Sequence, residues 1–139
     1  WDCKMTDYLV DTNHVSKILD GQKALESRLQ KAEGTGDTFG ISITVLGELY
    51  YAVYASQRKK ENLASLKAFL DSVTLWGYDC SAAEEFGRIQ AEQKAKGKPI
   101  PASDAQLAAV ARLHKLTILT NDKHFAFVSN LPIESWLSS

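Results

Sequence analysis

Short apolar runs alternate with stretches of helical periodicity along the whole chain, and this alternation limits the fold more than any other feature. The apolar runs are Tyr8-Leu9-Val10, the segment in which Phe39, Ile41 and Ile43 alternate with small or polar residues, Thr74 to Tyr78, and Thr117-Ile118-Leu119-Thr120, with a last short edge segment from Ile133 to Trp136. Runs with apolar residues at successive positions need cover on both faces, as parallel strands between layers of helices do. Strand–helix–strand repetition therefore predicts an α/β domain with a central, mainly parallel sheet flanked by helices on both faces. The chain has 139 residues, 45% of them hydrophobic and 24% charged, enough for one such domain and too few for two.

The helices can be placed from their stripes and stop signals. Thr12 or Asn13 is expected to cap the first, with Val15, Ile18 and Leu19 at helical spacing until Gly21. A second carries Leu25 and Leu29 and breaks at Gly34. Thr44 is expected to cap a third, whose apolar stripe is Val45, Leu46, Leu49, Tyr50 and Val53. A fourth covers Glu61 to Ser72. Ser81-Ala82-Ala83-Glu84 reads as a capping box for a fifth that stops at Gly97. Ser103 offers a cap for a sixth, opened by Asp104 and rich in alanine. There is no internal repeat, low-complexity tract or linker.

Composition narrows the function classes. No apolar run is long enough to cross a bilayer, and the N-terminus lacks the layout of a signal peptide, so a cytoplasmic protein is expected. Residues 1–4 precede Met5, the only methionine; they read as a leader or an added remnant, and 5–139 as a single domain. Cys3 and Cys80 have no metal-type spacing, which fits two inert thiols in a reducing compartment. The net charge of −1 gives no global case for nucleic-acid binding. Two local basic stretches stand out. Arg58-Lys59-Lys60 reads as a solvated helix end, whereas Lys94, Lys96 and Lys98 lead up to the Pro-Ile-Pro loop. Lys96 and Lys98 are therefore the candidates for contact with a phosphate backbone.

Four acids fall where a strand ends or a helix begins: Asp11, Glu48, Asp104 and Asp122. Such positions converge at the edge of an α/β sheet where ligands bind. Four carboxylates in one cleft repel unless a divalent cation sits among them, and an oxygen-only ligand set selects Mg²⁺ or Mn²⁺. Each acid also has an ordinary explanation. Asp11 and Asp104 could be helix caps, Glu48 a solvent-facing helical residue, and Asp122 half of an Asn-Asp turn with Asn121. Joint placement in one domain is what points to phosphodiester chemistry. Among the histidines, His14 and His114 are expected at the surface or half-buried, and His124 lies close enough to Asp122 to touch a substrate.

The segments DTN after the first strand, TVLGELYYA, IPASDAQLAAVA and LTILTNDKHF resemble, in that order, the PIN-domain ribonucleases. Within that family they look most like the VapC-type toxins of bacterial VapBC toxin–antitoxin pairs. The resemblance runs from Met5 over nearly the whole chain. It implies a PIN-like α/β fold and a metal-dependent endoribonuclease whose acidic quartet is Asp11, Glu48, Asp104 and Asp122. On this reading the quartet holds Mg²⁺ or Mn²⁺, with Asp11 and Asp104 the most direct ligands and Glu48 or Asp122 orienting the attacking water. Thr12, Asn13, Thr120 and Asn121 take accessory positions. The resemblance further implies an RNA substrate, a homodimer, no membrane association, and a small antitoxin whose C-terminal segment blocks the cleft with a basic side chain. Tyr50, Tyr51, Tyr54 and the stretch Leu63 to Leu70 are candidate contact surfaces. Two positions depart from the family pattern: His124, where relatives have Asp or Asn, and Gln106, where an apolar residue is usual. Two alternatives stand beside this reading. A haloacid-dehalogenase-like phosphatase would use Asp11 as nucleophile but wants a second Asp at position 13, which is Asn. A catalytically inactive PIN-like module would bind RNA or protein without cutting.

Overall fold

Leu9 lies in the middle strand of a five-stranded, all-parallel sheet ordered β3-β2-β1-β4-β5. The computed structural model describes residues 5–137, so Cys3 and the suggested leader lie outside the described residues. The strands are β1 (Asp7–Val10), β2 (Thr38–Ser42), β3 (Thr74–Trp76), β4 (Thr117–Leu119) and β5 (Ile133–Glu134). Six α-helices join them: α1 (Thr12–Leu19), α2 (Lys23–Gly34), α3 (Ile43–Ala55), α4 (Lys59–Leu70), α5 (Cys80–Lys96) and α6 (Ala102–His114). A 3₁₀ turn, Lys123–Phe127, lies between β4 and β5.

Both faces of the sheet are covered. Tyr8, Leu9 and Val10 are buried in succession, as are Phe39 to Ser42, so side chains pointing to opposite faces both meet protein. Leu9, Ile41, Ile118 and Leu119 are fully buried at the centre, each worth roughly 1.5–3 kcal/mol of apolar burial. Around them α1, α3 and α4 pack with one another, and α5 packs along α6. Gly40 is required by the close approach of β2 to β3: a Cβ there would lie 2.6 Å from the Trp76 indole nitrogen and 2.9 Å from the Thr74 carbonyl oxygen.

The helix starts differ from expectation in a consistent way. Ser42, still in register with Trp76 of β3, caps α3 by accepting from the Val45 amide at 3.1 Å, so Thr44 is inside the helix and Ile43 has left the strand. Asp79 Oδ1 accepts from the Ala82 amide at 2.9 Å and caps α5, ahead of the expected Ser81 box. Asp11, rather than Thr12 or Asn13, occupies the cap position of α1. Helix α6 begins at Ala102 behind Pro101 with no side-chain cap, so neither Ser103 nor Asp104 performs that role. Strands β3 and β5 are shorter than the apolar segments that mark them, ending at Trp76 and Glu134. The fifth helix does stop at Gly97, whose φ of 69° is the left-handed conformation that glycine adopts without strain.

His14 is completely buried, not half-exposed. Its Nε2 accepts from the Trp136 backbone amide at 3.0 Å, and burial pushes the imidazole pKa below its usual value. His114 is exposed, its ring 4.6 Å from that of Trp76. Cys80 is a free, exposed thiol.

Candidate active site

The chain runs outward from β1 through β2 to β3, then returns to lay β4 on the other side of β1. In such a sheet the crevice at the carboxyl ends of the two strands flanking the reversal is where ligands bind. The first and fourth acids sit here. The Asp11 amide donates to the Leu119 carbonyl at 3.0 Å, extending the β1–β4 ladder by one rung and fixing Asp11 against the end of β4.

Both Asp11 carboxylate oxygens are held. Oδ1 accepts from the Thr12 amide at 2.8 Å, and Oδ2 accepts from the hydroxyl of the buried Thr120 at 2.7 Å. The same hydroxyl accepts from the Asp122 amide at 3.0 Å, so Thr120 joins the first acid to the loop bearing the fourth. Asp122 Oδ1 accepts from the His124 amide at 2.9 Å, which closes the 3₁₀ turn. Glu48, in the second turn of α3, reaches the crevice from the side, its Oε2 accepting from the Thr12 hydroxyl at 3.2 Å. Asp104 arrives in the first turn of α6, where the helix dipole favours a carboxylate.

Together Asp11, Glu48, Asp104 and Asp122 line one cavity of about 180 Å³, with Thr12 and Asn13 on its wall. Among the described residues, none of the four makes a salt bridge to lysine or arginine. Among the described residues, the one basic side chain paired with the cluster is His124, whose Nδ1 is 3.0 Å from both Asp104 Oδ2 and Asp122 Oδ1. Burial pushes the Asp104 carboxyl above the usual carboxylate range; the hydrogen bond to His124 opposes this shift and the neighbouring Asp122 carboxylate adds to it. The hydrogen bond to Asp104 in turn raises the His124 pKa. A crevice of like charges with bound hydroxyls and no fixed cation suits a divalent metal ion, because carboxylate oxygens are the ligands such ions take.

Several predicted residues stand elsewhere. Asn121 does not line the cavity and accepts a hydrogen bond from the Ser135 hydroxyl. Lys96 donates to the Ser129 hydroxyl at 2.8 Å and the Phe127 carbonyl at 3.3 Å, and the Lys98 ammonium lies 4.7 Å from the Phe127 ring centre. Both lysines therefore brace the segment that follows Asp122 and do not line the acidic cavity. Gln106 is half-buried and also off the cavity wall. A second hollow of about 150 Å³ between α1, α3 and α4 has Asp20 as its only charged lining residue, so it lacks the convergent groups that chemistry needs. What sequence reading did not supply is the link from His124 to Asp104. Its ring faces two acids because α6 and β4 pack together, and no local pattern encodes that meeting.

Fold and crevice together define an acidic-cluster α/β nuclease domain, and the chain belongs to the PIN-domain family, matched over residues 8–131. Relatives that it matches include VapC proteins. It is 34% identical over 134 residues to ribonuclease VapC2 of Haemophilus influenzae, an alignment that covers 96% of this chain and all of that protein. It is 31% identical to the tRNA(fMet)-specific endonuclease VapC of Shigella flexneri, covering 95% of this chain and 99% of the relative. Among solved structures, VapBC2 of Rickettsia felis bound to a DNA fragment from its promoter superimposes with a TM-score of 0.86 at 27% identity, over 94% of this chain and 99% of that one. DNA-bound VapBC of Salmonella typhimurium gives 0.85 at 28%, over 96% and 100%. Membership of this family removes the dehalogenase-like alternative. Among the described residues no helix is long and apolar enough to cross a membrane.

Proposed function

We propose that the chain is a metal-dependent endoribonuclease, the toxin of a toxin–antitoxin pair, which hydrolyses RNA phosphodiester bonds at Asp11, Glu48, Asp104 and Asp122. The observation that carries this reading is the convergence of four carboxylates without a lysine or arginine partner on one crevice of a PIN domain. Asp11 and Asp104 are the principal ligands for Mg²⁺ or Mn²⁺. Asp11 is held at both oxygens, and the Asp104 side chain, 19% exposed, is less open to solvent than that of Asp122 at 34%. A bound divalent ion supplies Lewis-acid polarisation of the phosphate and acidifies a water molecule. Glu48, exposed and tethered by the Thr12 hydroxyl, orients the attacking water and takes up its proton. Thr120 and the Thr12 amide fix the Asp11 carboxylate so that it need not reorganise when charge develops.

The partner reading follows the same relatives, whose solved structures are VapBC complexes. A cognate antitoxin segment bearing a basic side chain would complement the crevice electrostatically. Of the expected contact surfaces, Tyr51 and Tyr54 are exposed on α3 and Tyr50 stacks on Tyr54, whereas Leu66 is fully buried and belongs to the core. The chain is proposed to act as a homodimer.

Incubating total RNA with the protein in Mn²⁺, in EDTA, and with Asp11→Asn in Mn²⁺ tests the activity. Asn at position 11 keeps a good helix cap, so the variant should fold. Cleavage by the wild type in Mn²⁺ alone is expected, with a loss of roughly 10²–10³-fold in the variant. Equal cleavage by Asp11→Asn would remove the acidic crevice as the active site, and a folded wild type that binds Mn²⁺ without cutting would favour the inactive-module alternative.

A further inference from the structure

Resting on the ribonuclease reading, we infer that His124 is a nitrogen ligand of the divalent cation and biases this site toward Mn²⁺ over Mg²⁺. One oxygen each from Asp104 and Asp122 and one ring nitrogen of His124 all lie within 4.8 Å of one another. Nδ1 is 3.0 Å from the nearest oxygen of each acid. Adjacent donors of an octahedral ion with bonds of about 2.1 Å are separated by about 3 Å, so Nδ1 already stands at the spacing of a neighbouring ligand from each of the two carboxylates.

The ring is aimed there by the backbone. Asp122 caps the 3₁₀ turn through the His124 amide, and the fully buried Phe125 anchors the next position. Residue 124 therefore projects over its own capping acid, toward the first turn of α6 and Asp104. An imidazole Nδ1 carries one hydrogen at most and can donate it along one line, yet two carboxylate oxygens stand equally near. A cation within bonding reach of all three accepts one lone pair from each and replaces the single shared proton.

The donor set changes the expected metal. Four carboxylates alone form an oxygen site, which suits Mg²⁺ as well as Mn²⁺. An imidazole ligand favours the borderline transition ions, and affinity rises along the first row from Mn²⁺ onward. Position 124 thus tunes which ion fills the crevice, a property that the acidic quartet does not itself determine.

Pulsed EPR of the full chain loaded with Mn²⁺ reads this directly, because a ligating imidazole gives a ¹⁴N modulation and carboxylates do not. The wild type is expected to show that coupling and His124→Ala to lose it. Calorimetric titration of the same proteins with Mn²⁺ and Mg²⁺ should give at least about a tenfold weaker Mn²⁺ affinity in His124→Ala, with a smaller change for Mg²⁺. His124→Asp, which restores an oxygen donor, should recover Mg²⁺ binding and narrow the Mn²⁺/Mg²⁺ ratio. The side chain is 44% exposed, so these variants should fold. Bound Mn²⁺ without ¹⁴N coupling in the wild type, or coupling that persists in His124→Ala, overturns the assignment. If RNA cleavage is intact in that case, the ribonuclease reading stands without it. Nitrogen ligation in a protein that does not cut RNA supports the ligand and sinks the ribonuclease.

Discussion

Acidic side chains meet opposite fates in two regions of this molecule. Between α5 and α6, Arg112 pairs with Glu85 through Nε and binds Glu92 through both terminal guanidinium nitrogens at 2.8 and 2.9 Å, while Arg88 reaches Glu85 and Glu84. At the strand ends, Asp11, Glu48, Asp104 and Asp122 share a crevice with no arginine or lysine partner among the described residues. The first arrangement neutralises charge permanently and ties two helices together. The second leaves charge uncompensated at the one place where the sheet order reverses, and so leaves a position for a cation. Carboxylates by themselves mark nothing; the absence of a fixed counter-charge distinguishes the site from the scaffold.

The largest effect is expected on the compensated side. Arg112 and Glu85 side chains are only 11% and 12% exposed, so Arg112→Met leaves the nearly buried Glu85 carboxylate with the exposed Arg88 alone and strips Glu92 of its bidentate partner. Chemical denaturation should find a loss of about 3–5 kcal/mol. The double variant Arg112→Met, Glu85→Gln should recover part of it, and full stability in the single variant would break the contrast. Next is the response to metal. Mn²⁺ at a hundred times its dissociation constant should stabilise the wild type by about 2.7 kcal/mol, with EDTA reversing the gain. Replacements between α5 and α6 should leave that increment unchanged.

The response to acid is smaller and differs in sign between the two regions. Despite the cost of its burial, hydrogen bonds from Arg112 and Arg88 hold the Glu85 pKa below the usual carboxylate value, and the Arg112 hydrogen bond does the same for Glu92. These groups bind fewer protons folded than unfolded. Their stabilisation is full above the unfolded value and is lost as pH falls through the folded one. Asp104 has a raised pKa. Its protonated form is favoured by folding, so it contributes stability below the unfolded carboxylate value that disappears as pH rises through the folded one. Stability measured against pH should therefore fall more steeply in acid for Asp104→Asn than for the wild type. Buried His14, with a lowered pKa, adds a loss that begins as pH drops below about 6.5.

The sheet was legible because its strands carry apolar residues in succession: Leu9 and Val10, and Ile118 and Leu119, can be read only as strands covered on both sides. The helix starts were less legible for a physical reason. Ser42 and Thr44, or Asp79 and Ser81, are equally good caps by residue type. The one that caps has extended backbone, as Ser42 does at φ −85° and ψ 159°, and how far extended backbone continues is set by pairing with a neighbouring strand. The same limit applies at the site. Asp11 and Asp122 follow strands, and their meeting can be anticipated from an α/β topology. The approach of His124 to Asp104 spans 20 residues and depends on how α6 seats against β4, which no motif records. Lys96 and Lys98 illustrate the converse: a basic run leading toward an acid in sequence turns instead onto Phe127 and Ser129.

Thermal melting of the wild type and Asp104→Asn, each in EDTA and in excess Mn²⁺, tests most directly whether the uncompensated crevice exists to hold a cation. At neutral pH in EDTA the variant should melt at the higher temperature, because one of four repelling charges has been removed. In Mn²⁺ the order should reverse, since the wild type gains binding energy that the variant cannot. Equal stabilisation of both proteins by Mn²⁺, or a wild type that already melts higher in EDTA, would contradict the account.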